Sequence, residues 1–277
     1  MRPLGACADI RRNQPVREWI ALASLLAVLL PFRLWRASLE GSFWIDETYS
    51  VLLAHKTLAE IARLTAADCH PPLYYVVLKF WLALGNLIGG VPAILWARML
   101  NVSLWAALAV LAWGAGRSLF GARGGALLAW AVAGSAQAGQ VANDIRGYGL
   151  AFPVLFACFV ILMVIEDSAN KARLPRRKTF FLWFAYAACA SVAIWTHLLS
   201  AFVIALLAVV WLVRAIRRGA AATPDWVAGL LAHAAIILSF LPWALKIHQQ
   251  LAYINQEPQT WMTPPTPANW FRVFALW

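Results

Sequence analysis

Four short stretches hold most of the groups capable of chemistry in this 277-residue chain, which is 62% hydrophobic and only 13% charged. The first is the acidic pair Asp46-Glu47, flanked by Trp44, Ile45 and Tyr49. A carboxylate at the wet end of a membrane cavity can act as general base for a hydroxyl nucleophile. The bland alternative is an acidic pair that only solvates a helix end. The second is Asp68-Cys69-His70-Pro71-Pro72, where two prolines fix the backbone and aim His70 at a defined point. A histidine there can contact phosphate or ligate a metal; otherwise the prolines simply open the helix starting near Leu73. The third is Asn143-Asp144-Ile145-Arg146-Gly147-Tyr148. Arg146 can grip phosphate with two parallel hydrogen bonds. Asp144 can orient it, bind a metal or bind sugar hydroxyls, or the two form a local ion pair. The fourth is Thr196-His197, whose simplest reading is an interfacial histidine capping a hairpin.

The elements that must position these groups are membrane helices. A charged fraction this low excludes an ordinary soluble domain. Apolar runs long enough to cross a bilayer fall at about 19–36, 97–116, 124–141, 148–166, 180–196, 198–213 and 226–247. The expected fold is therefore all-α and polytopic, with about seven transmembrane helices. The first run has the basic and apolar regions of a signal peptide. Bulky and charged residues, Pro31 to Arg36, stand where small ones would precede cleavage, so an uncleaved anchor is expected. The basic clusters Arg2 to Arg17, Arg117 and Arg123, Lys171 to Lys178, and Arg214 to Arg218 all fall on one face if the N-terminus is cytoplasmic. The four polar stretches then share the other face. Counting Leu73–Gly89 as a span would split the basic clusters and bury Lys79. It is instead expected as an interfacial helix within a long external loop, 37–96. Residues 1–248 form the membrane module, and 249–277, with four prolines, reads as an external loop that begins a further part.

The net charge of +11 reflects topology and contact with anionic membrane lipids; no basic stripe interleaved with aromatics suggests nucleic acid. The four cysteines show no CxxC or Cys/His metal spacing. No nucleotide-binding fingerprint is present. The Asn101-Val102-Ser103 sequon falls near or inside a span and is set aside.

The order of these blocks carries a resemblance. An external acidic motif precedes His-Pro-Pro-Leu-Tyr-Tyr (residues 70–75). Ala97-Arg98 then opens a span ending at Gly121, and Arg146-x-Tyr148 and Thr196-His197 follow at later external turns. This resembles the dolichyl-phosphate-mannose-protein mannosyltransferase-like superfamily of C-type (GT-C) glycosyltransferases, whose bacterial members include the aminoarabinose transferases that modify lipid A. The resemblance spans most of residues 19–248, with the His-Pro-Pro block its most specific part. It implies a polyprenyl-phosphate sugar donor, a lipid, glycan or protein acceptor, and chemistry on the external face of a bacterial inner membrane. It implies that Asp46, with Glu47 beside it, is the catalytic base. His70, Asp144, Arg146, Tyr148 and His197 would bind donor phosphate or substrate. The metal requirement stays open, with a divalent cation the candidate cofactor. The Lys-Pro-Pro variant of the aminoarabinose transferases is absent, so their particular substrate and metal arrangement do not carry over. Two other readings remain: a transporter or flippase of lipid-linked sugars, which calls for broken or charged helices near the midplane, and an inactive scaffold.

Overall fold

The computed structural model describes residues 5–39, 43–67, 70–171, 175–219 and 223–256, and among these it is all-α, with ten helices and no strand. They are α1 (Gly5–Leu39), α2 (Ile45–Ala54), α3 (Leu58–Ala67), α4 (Leu73–Ile88), α5 (Ala93–Ala133), α6 (Ala136–Asn143), α7 (Tyr148–Lys171), α8 (Arg176–Thr196), α9 (Ser200–Arg218) and α10 (Thr223–Gln256). Six of them are long and apolar enough to cross a membrane: α1, α5, α7, α8, α9 and α10. The expected multi-pass helical architecture is what the chain adopts.

One of the six supplies two legs. Within α5, Gly121 takes φ +77° and ψ −173°, a left-handed value that glycine adopts without a Cβ penalty. The helix doubles back there. Trp105 donates its indole N–H to the Ala133 carbonyl at 2.9 Å, and a Cβ built on Gly125 would lie 2.9 Å from the Trp113 carbonyl. The return leg, residues 122–133, continues as α6 after a break at Gly134-Ser135, where the Ser135 hydroxyl caps the Ala138 amide. The run expected at 124–141 is thus a broken helix, its interruption set by Gly134 and a serine cap.

Three apolar clusters hold the bundle. Leu22, Leu25, Trp105, Ala109, Ala129 and Ala133 join α1 to both legs of α5, the alanines permitting close helix approach. Cys158, Leu162, Trp183, Tyr186, Trp211 and Ile236 join α7 to α10. Leu53, Ile61, Tyr74, Leu78, Leu100 and Ile145 tie α2, α3 and α4 to the start of α5.

Helix α4 is not among the six. It has 16 residues and runs antiparallel to the opening turns of α5. Trp81 and Trp96 stack with centroids 4.7 Å apart, and each indole donates to the other's backbone carbonyl at 2.7 Å. Lys79 donates to the Lys56 carbonyl at 2.8 Å. Its ammonium caps the α2–α3 connection, which ties the hairpin to the helices beside it.

The antiparallel path places α2, His70, the Asp144–Gly147 loop and His197 at one end of the bundle. Arg117, Arg123, Arg177 and Arg214–Arg218 lie at the other. At that basic end Glu166, buried on α7, accepts two hydrogen bonds from Arg218 of α9 at 2.8 and 3.0 Å. Residues 249–256, expected as loop, continue α10, because Pro258 and the later prolines begin only after a run with good helix formers. Asp68 and Cys69, and residues 257–277, lie outside the described residues.

Candidate functional site

The described residues of the four polar stretches meet at one end of the bundle, and a buried ion pair underlies their meeting. Glu47 lies in the first turn of α2 and Arg98 in the second turn of α5; both side chains are 1% exposed. The contact is two-pronged: Arg98 Nε donates to Glu47 Oε1 at 3.0 Å and Nη2 to Oε2 at 2.7 Å. Arg98 Nη1 donates to the Ala37 carbonyl of α1 at 3.0 Å. Glu47 also accepts from the backbone N–H of Ile145 at 3.2 Å and of Trp44 at 3.4 Å. A carboxylate this buried stays charged only when matched, and every direction around it is taken. Glu47 is therefore enclosed in the framework rather than open beside Asp46; with Arg98 its carboxylate ties together α1, α2, α5 and the α6–α7 loop.

A second anchor completes the loop. Asn101, buried one turn after Arg98, donates its amide to the backbone carbonyls of Asp144 and Arg146, the latter at 3.0 Å, and accepts from the Tyr74 hydroxyl at 3.2 Å. Gly149 passes directly over Asn101, where any Cβ would collide with the amide. Gly147 lies against α8, so that a Cβ would be 3.1 Å from the Thr196 carbonyl. Both glycines are needed for close approach, and neither takes a left-handed φ. The discarded sequon asparagine is thus a structural hub.

On this base the loop presents Arg146 to Asp46. Arg146 Nη2 lies 3.4 Å from Asp46 Oδ2, with Asp46 38% and Arg146 18% exposed. Asp46 sits in the first turn of α2, where the helix dipole favours a carboxylate. Arg146 also lines a small cavity with His70, Tyr74, Tyr75, Gly147, Tyr148, Thr196 and His197. Its free space of about 10 Å³ holds roughly one water. Pro71 and Pro72 are buried, with Pro72 at the cap of α4, and set His70 at the rim.

His197 follows the last residue of α8 and packs on Tyr148 with ring centroids 4.5 Å apart. Its Nδ1 accepts the Leu199 N–H at 3.2 Å, which leaves Nε2 to carry the proton of the neutral ring. Burial, with the charges of His70 and Arg146 adding to it, pushes the imidazole pKa down to about 4. His197 is a neutral donor at neutral pH. Burial likewise holds the Tyr74 phenol well above its usual range, so it serves as a fixed hydroxyl.

The structure thus brings together Asp46, His70, Arg146, Tyr148 and His197. Asp144 is separate. It lines a larger cavity on the α1 side of the loop, and the carboxylate that meets Arg146 is Asp46. Among the described residues no three His, Cys, Asp or Glu side chains gather as a metal set, so the residues there do not form a cage for a divalent cation. Local sequence does not separate Glu47 from Asp46. The signal for Glu47 was Arg98, a charge inside an apolar helix that demands a partner. Asn101 gave the same signal more weakly.

The chain was compared with family models, curated proteins and solved structures, and none of them matches it.

Two tests follow from the geometry. Glu47→Gln keeps the side-chain shape but leaves the Arg98 charge buried and unmatched. It should cost about 3–5 kcal/mol in chemical unfolding of the purified protein, while Glu47→Leu combined with Arg98→Met should recover much of that loss. A Glu47→Gln protein as stable as the wild type would contradict the structural role. The second test concerns His197, which titrates near 6.5 in an unfolded chain and near 4 in the fold. Between those values the unfolded state binds more protons, so stability falls as pH drops from 6.5 to 4. His197→Gln should flatten the decline in melting temperature across that window; an unchanged slope would show that His197 does not cause it.

Proposed function

We propose that the chain is an integral-membrane glycosyltransferase that moves a sugar from a polyprenyl-phosphate donor to an acceptor hydroxyl. The observation that carries this reading is the Asp46–Arg146 pair at 3.4 Å, partly open to solvent and set beside His70 and neutral His197 at one end of the bundle. It supports the reading because a carboxylate able to take a proton and a guanidinium able to bind phosphate lie within one reaction radius. The opposite end carries the basic clusters, so the site faces outward if that end is cytoplasmic, which puts the N-terminus inside.

In the ground state Asp46 and Arg146 hold each other. A donor phosphate is the stronger partner for a guanidinium, offering two oxygens to its planar fork. On binding it draws Arg146 from Asp46, and the freed carboxylate turns to the acceptor. The acceptor oxygen then bonds to the anomeric carbon as the carbon–phosphate oxygen bond breaks. The hydroxyl proton passes to Asp46, and the electron pair leaves with the phosphate, which Arg146 and the His197 Nε2–H stabilise. Space for the headgroup opens by movement of the Tyr148 ring, which covers the cavity and is exposed. A donor arriving within the bilayer needs no nucleotide fold. The polar groups gather at one end rather than at the midplane, which favours chemistry there over carriage of the whole molecule across the membrane.

The test is sugar transfer from radiolabelled polyprenyl-phosphate donors by the full chain in membranes, with donor titration. Asp46→Asn should lower turnover about 100- to 10,000-fold with little change in donor binding. Arg146→Ala should chiefly weaken donor binding. Transfer by Asp46→Asn at the wild-type rate would refute the assignment of the base.

A further inference from the structure

A polar cavity lies on the other side of the Asp144–Arg146 loop from Asp46, and nothing in the proposed transfer uses it. It encloses about 200 Å³ between the end of α1 and α6. Arg33, Arg36, Arg98, Gln140, Asn143 and Asp144 supply its polar wall. Arg33 is 9% exposed, and its Nε has no hydrogen-bond partner. Its guanidinium lies 5.7 Å from the Trp105 ring and fills the space left by Gly139, where a Cβ would strike it. No carboxylate pairs with Arg33 or Arg36 among the described residues. A guanidinium buried this far without a carboxylate partner is costly. Asn143 adds a buried amide oxygen without a partner; turned over, that amide offers two N–H donors.

Two further facts identify what would fit. Arg33 and Arg36 stand at the end of the bundle away from the basic clusters, where topology does not call for them. Phe32 and Trp35 on the same turns are exposed, as aromatic side chains are where a helix meets the headgroup layer. The charge of the wall is also selective. The wall holds three guanidinium groups, Arg33, Arg36 and Arg98, against two carboxylates, Asp144 in the wall and Glu47 paired to Arg98, which leaves a single positive charge in excess. That suits a phosphodiester, which carries one negative charge, better than a phosphate monoester, which carries nearly two at neutral pH.

We propose that the cavity between α1 and α6 is a binding site for the phosphodiester headgroup of an anionic membrane phospholipid, held by Arg33 and Arg36 with its acyl chains along the exposed face of α1. The site is independent of the Asp46 centre and does not rest on the transferase reading.

The test is native mass spectrometry of the full chain released from detergent, titrated with phosphatidylglycerol, phosphatidylethanolamine, polyprenyl phosphate and inorganic phosphate. In Arg146→Ala, which removes the proposed phosphate-binding cation of the Asp46 centre, phosphatidylglycerol should be retained in preference to the other three. Arg36→Gln, at an exposed position, should weaken its retention several-fold, and Arg33→Gln with Arg36→Gln should weaken it tenfold or more. Arg33→Lys keeps the charge and should fall between these. Arg146→Ala, and Arg217→Gln at the opposite end, should leave retention unchanged. Should the double variant fail to fold, Arg36→Gln and Arg33→Lys carry the test. Unchanged retention in the Arg33 and Arg36 variants, an equal loss in Arg217→Gln, or preference of Arg146→Ala for polyprenyl phosphate or free phosphate would overturn the assignment.

Discussion

The Glu47–Arg98 pair is the contact on which this end of the molecule depends. Arg98 is fixed on the long helix α5, so it transmits the position of the membrane bundle to everything above it. Through Glu47 it sets the first turn of α2, and with that turn the direction of Asp46. Through the Ile145 amide it sets the loop that carries Arg146. Through the Ala37 carbonyl it ties down the end of α1. Both ions are removed from water, so each requires the other; a buried pair of this kind specifies one arrangement more than it adds net stability. It brings residues 46 and 146, a hundred positions apart in sequence, to 3.4 Å.

The same arrangement explains why neighbouring acids differ. Asp46 and Glu47 point to different sides of one helical turn. The longer side chain reaches down to the guanidinium, and the shorter stays at the surface beside Arg146. A base that must exchange partners with substrate cannot be the one that supports the fold. Asn101 works with Glu47 from below, holding the backbone of residues 144–146 by their carbonyls while Glu47 holds the amide between them. The loop is thus hydrogen-bonded on both of its backbone faces, and Arg146 is the side chain it turns toward Asp46.

Much of this was legible in the sequence. The apolar runs and basic clusters gave the bundle, and the segment expected as an interfacial helix is the 16-residue helix α4. The convergence of Asp46, His70, Arg146 and His197 followed from topology alone. What escaped was tertiary. Glu47 was grouped with Asp46 because adjacency in sequence suggests a shared role, whereas its role comes from Arg98, 51 residues away. Asp144 was grouped with Arg146 for the same reason, yet the backbone turn sends the two side chains to opposite cavities. Arg33 and Arg36 read as a charged flank after an anchor helix; only the packing of α6 against α1 makes them a wall. Gly134-Ser135 looked like part of a continuous span, since small residues interrupt hydropathy very little.

Hydrogen exchange of the purified wild type and Arg98→Lys tests the central claim most directly. Lysine keeps the charge but cannot reach both Glu47 oxygens and the Ala37 carbonyl at once. Peptides covering residues 44–50 and 143–148 should then exchange faster together, while those covering α9 stay as protected as in the wild type. Unchanged protection of 143–148 in Arg98→Lys would contradict the account, because the loop that presents Arg146 would then be held by something other than the buried pair.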